Sequence, residues 1–354
     1  MEKNKYALVA IILLLSIILT SCTGSGTQIN SWSGAIIKED SLYYVNAGKV
    51  YALDSENGNI IWEYPDKASA SRVFMAAPAL AGEQLLVGDY ANLLTSLDKK
   101  NGNENWQFKG ANGRYIDSPL IIKNIIVAPN SDNHIYALDF TGNLKWEFEA
   151  KHSFWAQPTT DGKVVFAPSM DHNLYALDLT TGHLIWKVDL NAALVARSTL
   201  VDGILFIGNL NGDLYAINSI NGEIIWHQKM KGGIWSAPTM VNNHLFLGDQ
   251  SGNVNIIKSE NGPIIKSIQT SSAVIGSGVI LSNGVVFGNK KGVLTLFGFN
   301  GQKIWSKTID GSLYSNLLLL GDQIFVIATK GEKPIVVVDK NGNENKLFNF
   351  IIKK

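Results

Sequence analysis

Tyr136-Ala137-Leu138-Asp139-Phe140-Thr141-Gly142-Asn143-Leu144-Lys145-Trp146 sets two short apolar runs on either side of a Thr-Gly pair. The order returns at Tyr175-Ala176-Leu177-Asp178 with Thr181-Gly182 and Trp186, and at Tyr215-Ala216-Ile217-Asn218 with Asn221-Gly222 and Trp226. Upstream lie Tyr51-Ala52-Leu53-Asp54 with Asn57-Gly58 and Trp62, and a looser copy ending in Asn101-Gly102 and Trp106. Downstream, Asn261-Gly262 precedes Lys266, Asn300-Gly301 precedes Trp305, and Asn341-Gly342 precedes Lys346. The Trp-equivalent positions are thus 62, 106, 146, 186, 226, 266, 305 and 346, spaced by 39 to 44 residues. They make eight units.

Asn-Gly at the centre of a hairpin accepts the positive φ angles of a tight turn whose twist matches its strands. Two further apolar stretches precede each hairpin, such as Ile234-Trp235-Ser236-Ala237-Pro238 and His244-Leu245-Phe246-Leu247-Gly248. Each unit therefore predicts four antiparallel strands, with no helical periodicity after the N-terminal segment. Four-stranded units at this period are propeller blades, which stack radially and leave only short, protected edges. The expected fold is all-β, an eight-bladed β-propeller over residues 30–354. Its blades fall at about 30–65, 73–108, 115–150, 154–190, 194–230, 234–270, 274–310 and 313–352, from the repeat phase. Trp62, Trp106, Trp146, Trp186, Trp226 and Trp305 are expected to pack on adjacent blades, because an indole buries a large area.

The N-terminal segment carries Lys3 and Lys5, an apolar run over residues 6–19, and then Leu19-Thr20-Ser21-Cys22. A basic start, a short apolar stretch and small residues before a cut describe a secretory signal peptide, here residues 1–21. The apolar run is shorter than the ~20 residues a spanning helix needs. Leu-Thr-Ser-Cys resembles the lipobox of bacterial lipoproteins, which implies that Cys22 becomes the lipidated first residue of the mature chain. Cys22 is the only cysteine, so it forms no internal disulfide. Residues 22–29, rich in Gly, Ser and Thr, read as a tether.

Thirty basic residues balance thirty acidic ones, so no positive field invites nucleic acid. The six His residues are scattered, with no pair at metal-ligand spacing on one strand, and nothing assembles a catalytic triad. The expectation is no catalytic site, no metal and no cofactor. The first strand of each blade lines the central channel. Aligned on Pro78, Pro119, Pro158 and Pro238, the preceding residues are Ala77, Ser118, Gln157 and Ala237. Arg197 holds this place in blade five, and Asp117 lies close to it in blade three. Trp32, Trp155 and Trp235 stand three places before the proline position. Only three arginines occur, Arg72, Arg114 and Arg197, all in or just before inner strands. Arg and Trp are favoured anchors of interfaces. The partner-binding candidates are therefore Arg72, Arg114, Asp117, Trp155, Arg197 and Trp235.

The Ala-Leu-Asp, Thr-Gly, Trp pattern resembles the pyrroloquinoline-quinone-like propeller repeat. Eight such blades behind a lipobox resemble the BamB family of the outer-membrane β-barrel assembly machinery. That resemblance implies a non-catalytic scaffold docked on a membrane-embedded barrel protein through a Leu-x-Leu-Arg loop. The nearest stretch here, Leu194-Val195-Ala196-Arg197, lacks the second Leu. The quinoprotein dehydrogenases share the repeat, yet they need calcium held by clustered oxygen ligands, and no such cluster is evident. The reading is a lipid-anchored, monomeric envelope scaffold with a protein partner, on the periplasmic face of an outer membrane or, without one, on the outward membrane face. A ligand- or peptide-binding surface sensor is the second reading.

Overall fold

The computed structural model describes residues 33–69 and 72–352. The segments assigned to signal peptide and tether, with Cys22 and Trp32, lie outside these residues. The described chain forms eight antiparallel sheets in a closed sequence of blades, each blade built from consecutive strands. Blade one runs β1 (Ala35–Lys38), β2 (Ser41–Asn46), β3 (Lys49–Asp54) and β4 (Ile60–Tyr64) from the channel outward. Blades two to seven repeat this order. Blade eight has three strands, and a single bridge from Val338 to Glu344 stands for its fourth.

Each third strand is buried along nearly its whole length, as in Ile135-Tyr136-Ala137-Leu138. Both of its faces meet a neighbouring blade, so apolar residues fill it without alternation. Eight apolar clusters result, one at each blade interface. The hairpin after it is held by the Asp that ends the strand. In blade three, Asp139 Oδ1 accepts the backbone N–H of Thr141 and of Asn143 (2.9 and 3.0 Å), and Gly142 takes φ +85°. A one-residue register shift follows at Ala137/Leu138 and recurs at the same place in the other four-stranded blades.

The repeat tryptophans cross to the next blade. Trp146 Nε1 donates to Leu179 O at 2.9 Å, and its ring lies against Gly182, where a Cβ would come within 2.6 Å of the indole. Trp62, Trp106, Trp186, Trp226 and Trp305 make the same bond to Lys99 O, Phe140 O, Ser219 O, Ser259 O and Lys340 O. Lys266 imitates it: its stem lies against Gly301 and its ammonium donates to Asn300 O. Blade eight departs from the repeat alignment. Lys346 is exposed, and Phe348 and Phe350 pack against blade one beside Gly58, with Asn349 N–H donating to Asn57 O. The shortened fourth strand moves the aromatic plug two residues along the chain.

Two outcomes follow from this geometry. Trp146→Ala removes a ring only 7% exposed, and should cost about 3–5 kcal/mol in a urea melt, as for other buried aromatics. Lys266→Ala should cost much less, because the Lys keeps part of its length in water. Equal losses would mean that the indole seat does not hold the blades together. The turn carboxylates predict an acid limit. The Thr141 hydroxyl and the turn N–H groups hold Asp139 down at about 2, and the Thr181 hydroxyl lowers Asp178 likewise. A carboxylate depressed in the folded state stabilises above its unfolded value and ceases to do so as pH falls through the folded one. The melting temperature should therefore drop between about pH 4 and pH 2, and Asp139→Asn should flatten that drop. An unchanged slope in the mutant would count against the turn.

Candidate binding channel

Most residues that line the channel belong to the bends leading into the inner strands, joined by the first residues of strands such as Thr199 and Thr239. Blade four's inner strand begins at Thr159, after Pro158, and blade six's at Thr239, after Pro238. Three places in these bends repeat around the ring. The residue two before the proline position is small in most blades: Ala76, Ala156, Ala196, Ser236, Gly276 and Ser315. Adjacent bends touch there, and a Cβ on Gly276 would meet Ser315 O at 2.5 Å. The residue before it is larger and apolar, and the residue after it is mostly polar.

This alternation divides the channel. Toward its mouth, a cavity of about 200 Å³ is lined by Met75, Ile116, Trp155, Val195, Trp235 and Tyr314, among others. Further along, a cavity of about 360 Å³ is lined by Gln157, Arg197, Thr199, Ser236 and Ser277. Asp117, Val195, Trp235 and Asn316 border both. The sequence candidates Asp117, Trp155, Arg197 and Trp235 thus meet in one channel. Leu194-Val195-Ala196-Arg197 is part of its wall, ahead of the strand Thr199–Val201.

Asp117 is the one carboxylate at the small-residue position. Its Oδ1 accepts the Ser118 N–H at 2.7 Å and its Oδ2 accepts the Gln157 N–H of the next blade at 2.8 Å. Burial raises its pKa against these bonds and against the attraction of Arg197. Arg197 is exposed to the channel and donates from Nη1 to Gln157 Oε1 at 2.7 Å. Trp155 is 36% exposed at the mouth.

The other two arginines do different things. Arg72 is drawn into the fold: it donates to Asp89 Oδ2 (2.6 Å), the Tyr64 hydroxyl (2.7 Å) and Thr95 Oγ1 (2.6 Å). Its guanidinium also lies over Tyr64 and Phe74. These bonds give the candidate Arg72 a role inside its own blade. Arg114 is exposed and stacks on the Tyr90 ring at 4.7 Å, so it stays on the surface. Among the described residues, no three His, Cys, Asp or Glu side chains gather as a metal-binding group. His134 opens the strand His134–Asp139 beside Asp132, and His172 sits in a turn.

Sequence reasoning missed two features. Ser236, the blade-six counterpart of Asp117, is 2% exposed and borders the deeper cavity; the proline alignment was the signal for it. Asp89 is fully buried at the place where blades three to five carry Asn130, Ser169 and Asn209. Blade six also buries a carboxylate there, Asp249, which Ser251, Asn253 and Asn255 satisfy by hydrogen bonds, whereas Asp89 takes its counter-charge from Arg72.

The chain is an eight-bladed β-propeller of the pyrroloquinoline-quinone-like repeat type, with its side-chain chemistry gathered in the channel. It belongs to the family described as outer membrane protein assembly factor BamB, whose model matches residues 46–193 and again 170–347. A curated BamB from Xanthomonas campestris pv. campestris is 28% identical over 92 residues, 26% of this chain and 22% of that protein. The match thus spans about a fifth of that relative's length. The crystal structure of BamB from Moraxella catarrhalis superposes with a TM-score of 0.73 at 19% identity, over 86% of this chain and 92% of that one. The computationally designed Ika8 protein superposes with a TM-score of 0.76 at 16% identity, over 86% and 95%. At these identities the two structures show a shared fold.

The contrast between the arginines is testable. Arg72→Leu leaves the Asp89 carboxylate buried without its cation and should cost about 3 kcal/mol or more. Arg114→Ala, on the surface, should stay within about 0.5–1 kcal/mol of the parent. Urea melts compare them, and a harmless Arg72→Leu would mean that the fold does not depend on this ion pair.

Proposed function

We propose that the chain is a non-catalytic, lipid-anchored scaffold of the bacterial cell envelope that holds protein partners in outer-membrane protein assembly. The observation that carries this reading is the family match, which runs from residue 46 to residue 347 and reaches into all eight blades. The matched Xanthomonas relative is named for that assembly role. The chemistry agrees with it. The Asp and Trp of the repeat are taken up in turns and blade contacts, so the signature is a device for closing a ring. Residues 1–21 act as the signal peptide, Cys22 carries the lipid, and residues 22–29 tether the propeller. Two or more acyl chains make such an anchor stable. In a host with an outer membrane the propeller lies on its periplasmic face; in a host without one, on the outward face of the cell membrane. The propeller acts as a monomer, and Arg114, exposed on the surface, and Trp155, exposed at the channel, suit the partner's side.

Fractionated envelopes of the native host provide the test. The wild-type chain should sediment with membranes and incorporate labelled fatty acid, whereas Cys22→Ala should turn soluble or persist as an unprocessed precursor. Equal labelling of both would remove the anchor. Cross-linked wild-type chain should bring down proteins that insert β-barrels. Recovery no better than a tag-only control, with normal outer-membrane protein levels in a deletion strain, would contradict the scaffold role.

A further inference from the structure

The polar groups of the deeper cavity can be sorted by whether the fold already uses them. Thr199 Oγ1 donates to Pro238 O at 2.6 Å and Thr239 Oγ1 to Gly278 O at 3.0 Å, so both hydroxyls tie one inner strand to the next. Gln157 Nε2 donates to Pro119 O at 2.9 Å, and its Oε1 receives Arg197. Both oxygens of Asp117 receive backbone N–H groups. Asn316 Oδ1 receives the Ser277 N–H at 2.9 Å. Two of the groups that remain carry distinct chemistry. The Ser236 hydroxyl, on a residue 2% exposed, has no hydrogen-bond partner. Arg197 makes one hydrogen bond, while a guanidinium carries five N–H donors.

Arg197 is also short of counter-charge. Among the described residues no carboxylate lies within 4.0 Å of it, in contrast to Arg72 on Asp89. Asp117 attracts it from further off, and burial opposes the ionisation of that carboxyl. A guanidinium set in a walled channel, with unused donors in a planar fork, matches the two oxygens of a carboxylate. Above it the mouth is apolar and aromatic, with Trp155, Trp235 and Tyr314 around the smaller cavity. The larger cavity, about 360 Å³, lies within the range of small-ligand sites, about 300–1,000 Å³.

We propose that the channel binds a carboxylate carried on an apolar or aromatic body, with Arg197 and the Ser236 hydroxyl on the carboxylate and the Trp155–Trp235 mouth around the body. The site is independent of the scaffold reading, since it needs no partner subunit. The carboxylate has two sources, a free small organic acid or the C-terminus of a polypeptide entering the mouth.

Calorimetric titration of the purified mature chain distinguishes them. The probes are 3-phenylpropionate, its neutral amide, and a short peptide with an apolar last residue, in free-acid and amidated forms. At least one free acid should bind saturably at one site, and its amide should bind about tenfold more weakly or worse, as for loss of a charge-assisted pair. Binding by the small acid alone assigns a metabolite-like ligand; binding by the peptide alone assigns a polypeptide terminus. Arg197→Gln should lose about tenfold or more, Arg197→Lys should restore part of it, and Ser236→Ala should weaken binding with unchanged melting temperature. Acid and amide of equal affinity, wild-type binding by Arg197→Gln, or no saturation by either acid up to about 10 mM would each overturn the proposal. Circular dichroism of each variant separates a lost site from a lost fold.

Discussion

An indole ring lying on the glycine of the next blade's turn is the contact on which the rest of the molecule depends. It sets two demands at once. The glycine must adopt a positive φ for the hairpin, and it must lack a Cβ because the ring already fills that space, as Trp146 does at Gly182. The indole N–H then finds a carbonyl one residue past the strand-ending Asp or its counterpart, so each ring is fixed in position as well as in depth. Repeated around the ring, this contact presses the third strands together and allows them to be apolar on both faces. Where the indole is missing, the chain supplies a substitute: the stem and ammonium of Lys266, and Phe348 with Phe350 at the closure between blades eight and one. Without a disulfide, the ring relies on these eight joints.

The same regularity explains what could be read in advance. Turn glycines, strand-ending Asp and Trp recur at a fixed period, and an element repeated eight times is legible even when single copies drift. The channel residues were legible for a related reason, since the prolines mark one height on the inner bends and place Asp117, Gln157 and Arg197 beside it. What escaped were features that occur once. Asp89 holds a recurring polar position, but the pairing with Arg72, 17 residues away, recurs in no other blade among the described residues, so only the folded blade shows that the guanidinium answers this carboxylate. Phe348 lies two residues off the period, and an alignment on Gly342 points to the exposed Lys346 instead.

These distinctions bear on function. A repeat shared between scaffolds and quinone enzymes cannot separate them by its signature, because the signature residues join blades in either case. The discriminating chemistry lies where the repeat is broken: Asp117 among small residues, Arg197 at a position otherwise small or neutral, and Trp155 and Trp235 at the mouth. Membership of the BamB family supports protein partners in general. The interior, with one charged group short of a counter-charge and one hydroxyl short of a partner, holds chemistry of its own.

The central claim is that the indole and the glycine form one interlocking joint. A double-mutant cycle on Trp146→Ala and Gly182→Ala, followed by urea denaturation, tests it most directly. If the joint is real, Gly182→Ala is strongly destabilising while the indole is present and much less so once it is gone. The double mutant should then cost less than the two losses added, by about 1 kcal/mol or more. Strict additivity would mean that the glycine serves its own turn alone, and that the blades are held together by something other than this contact.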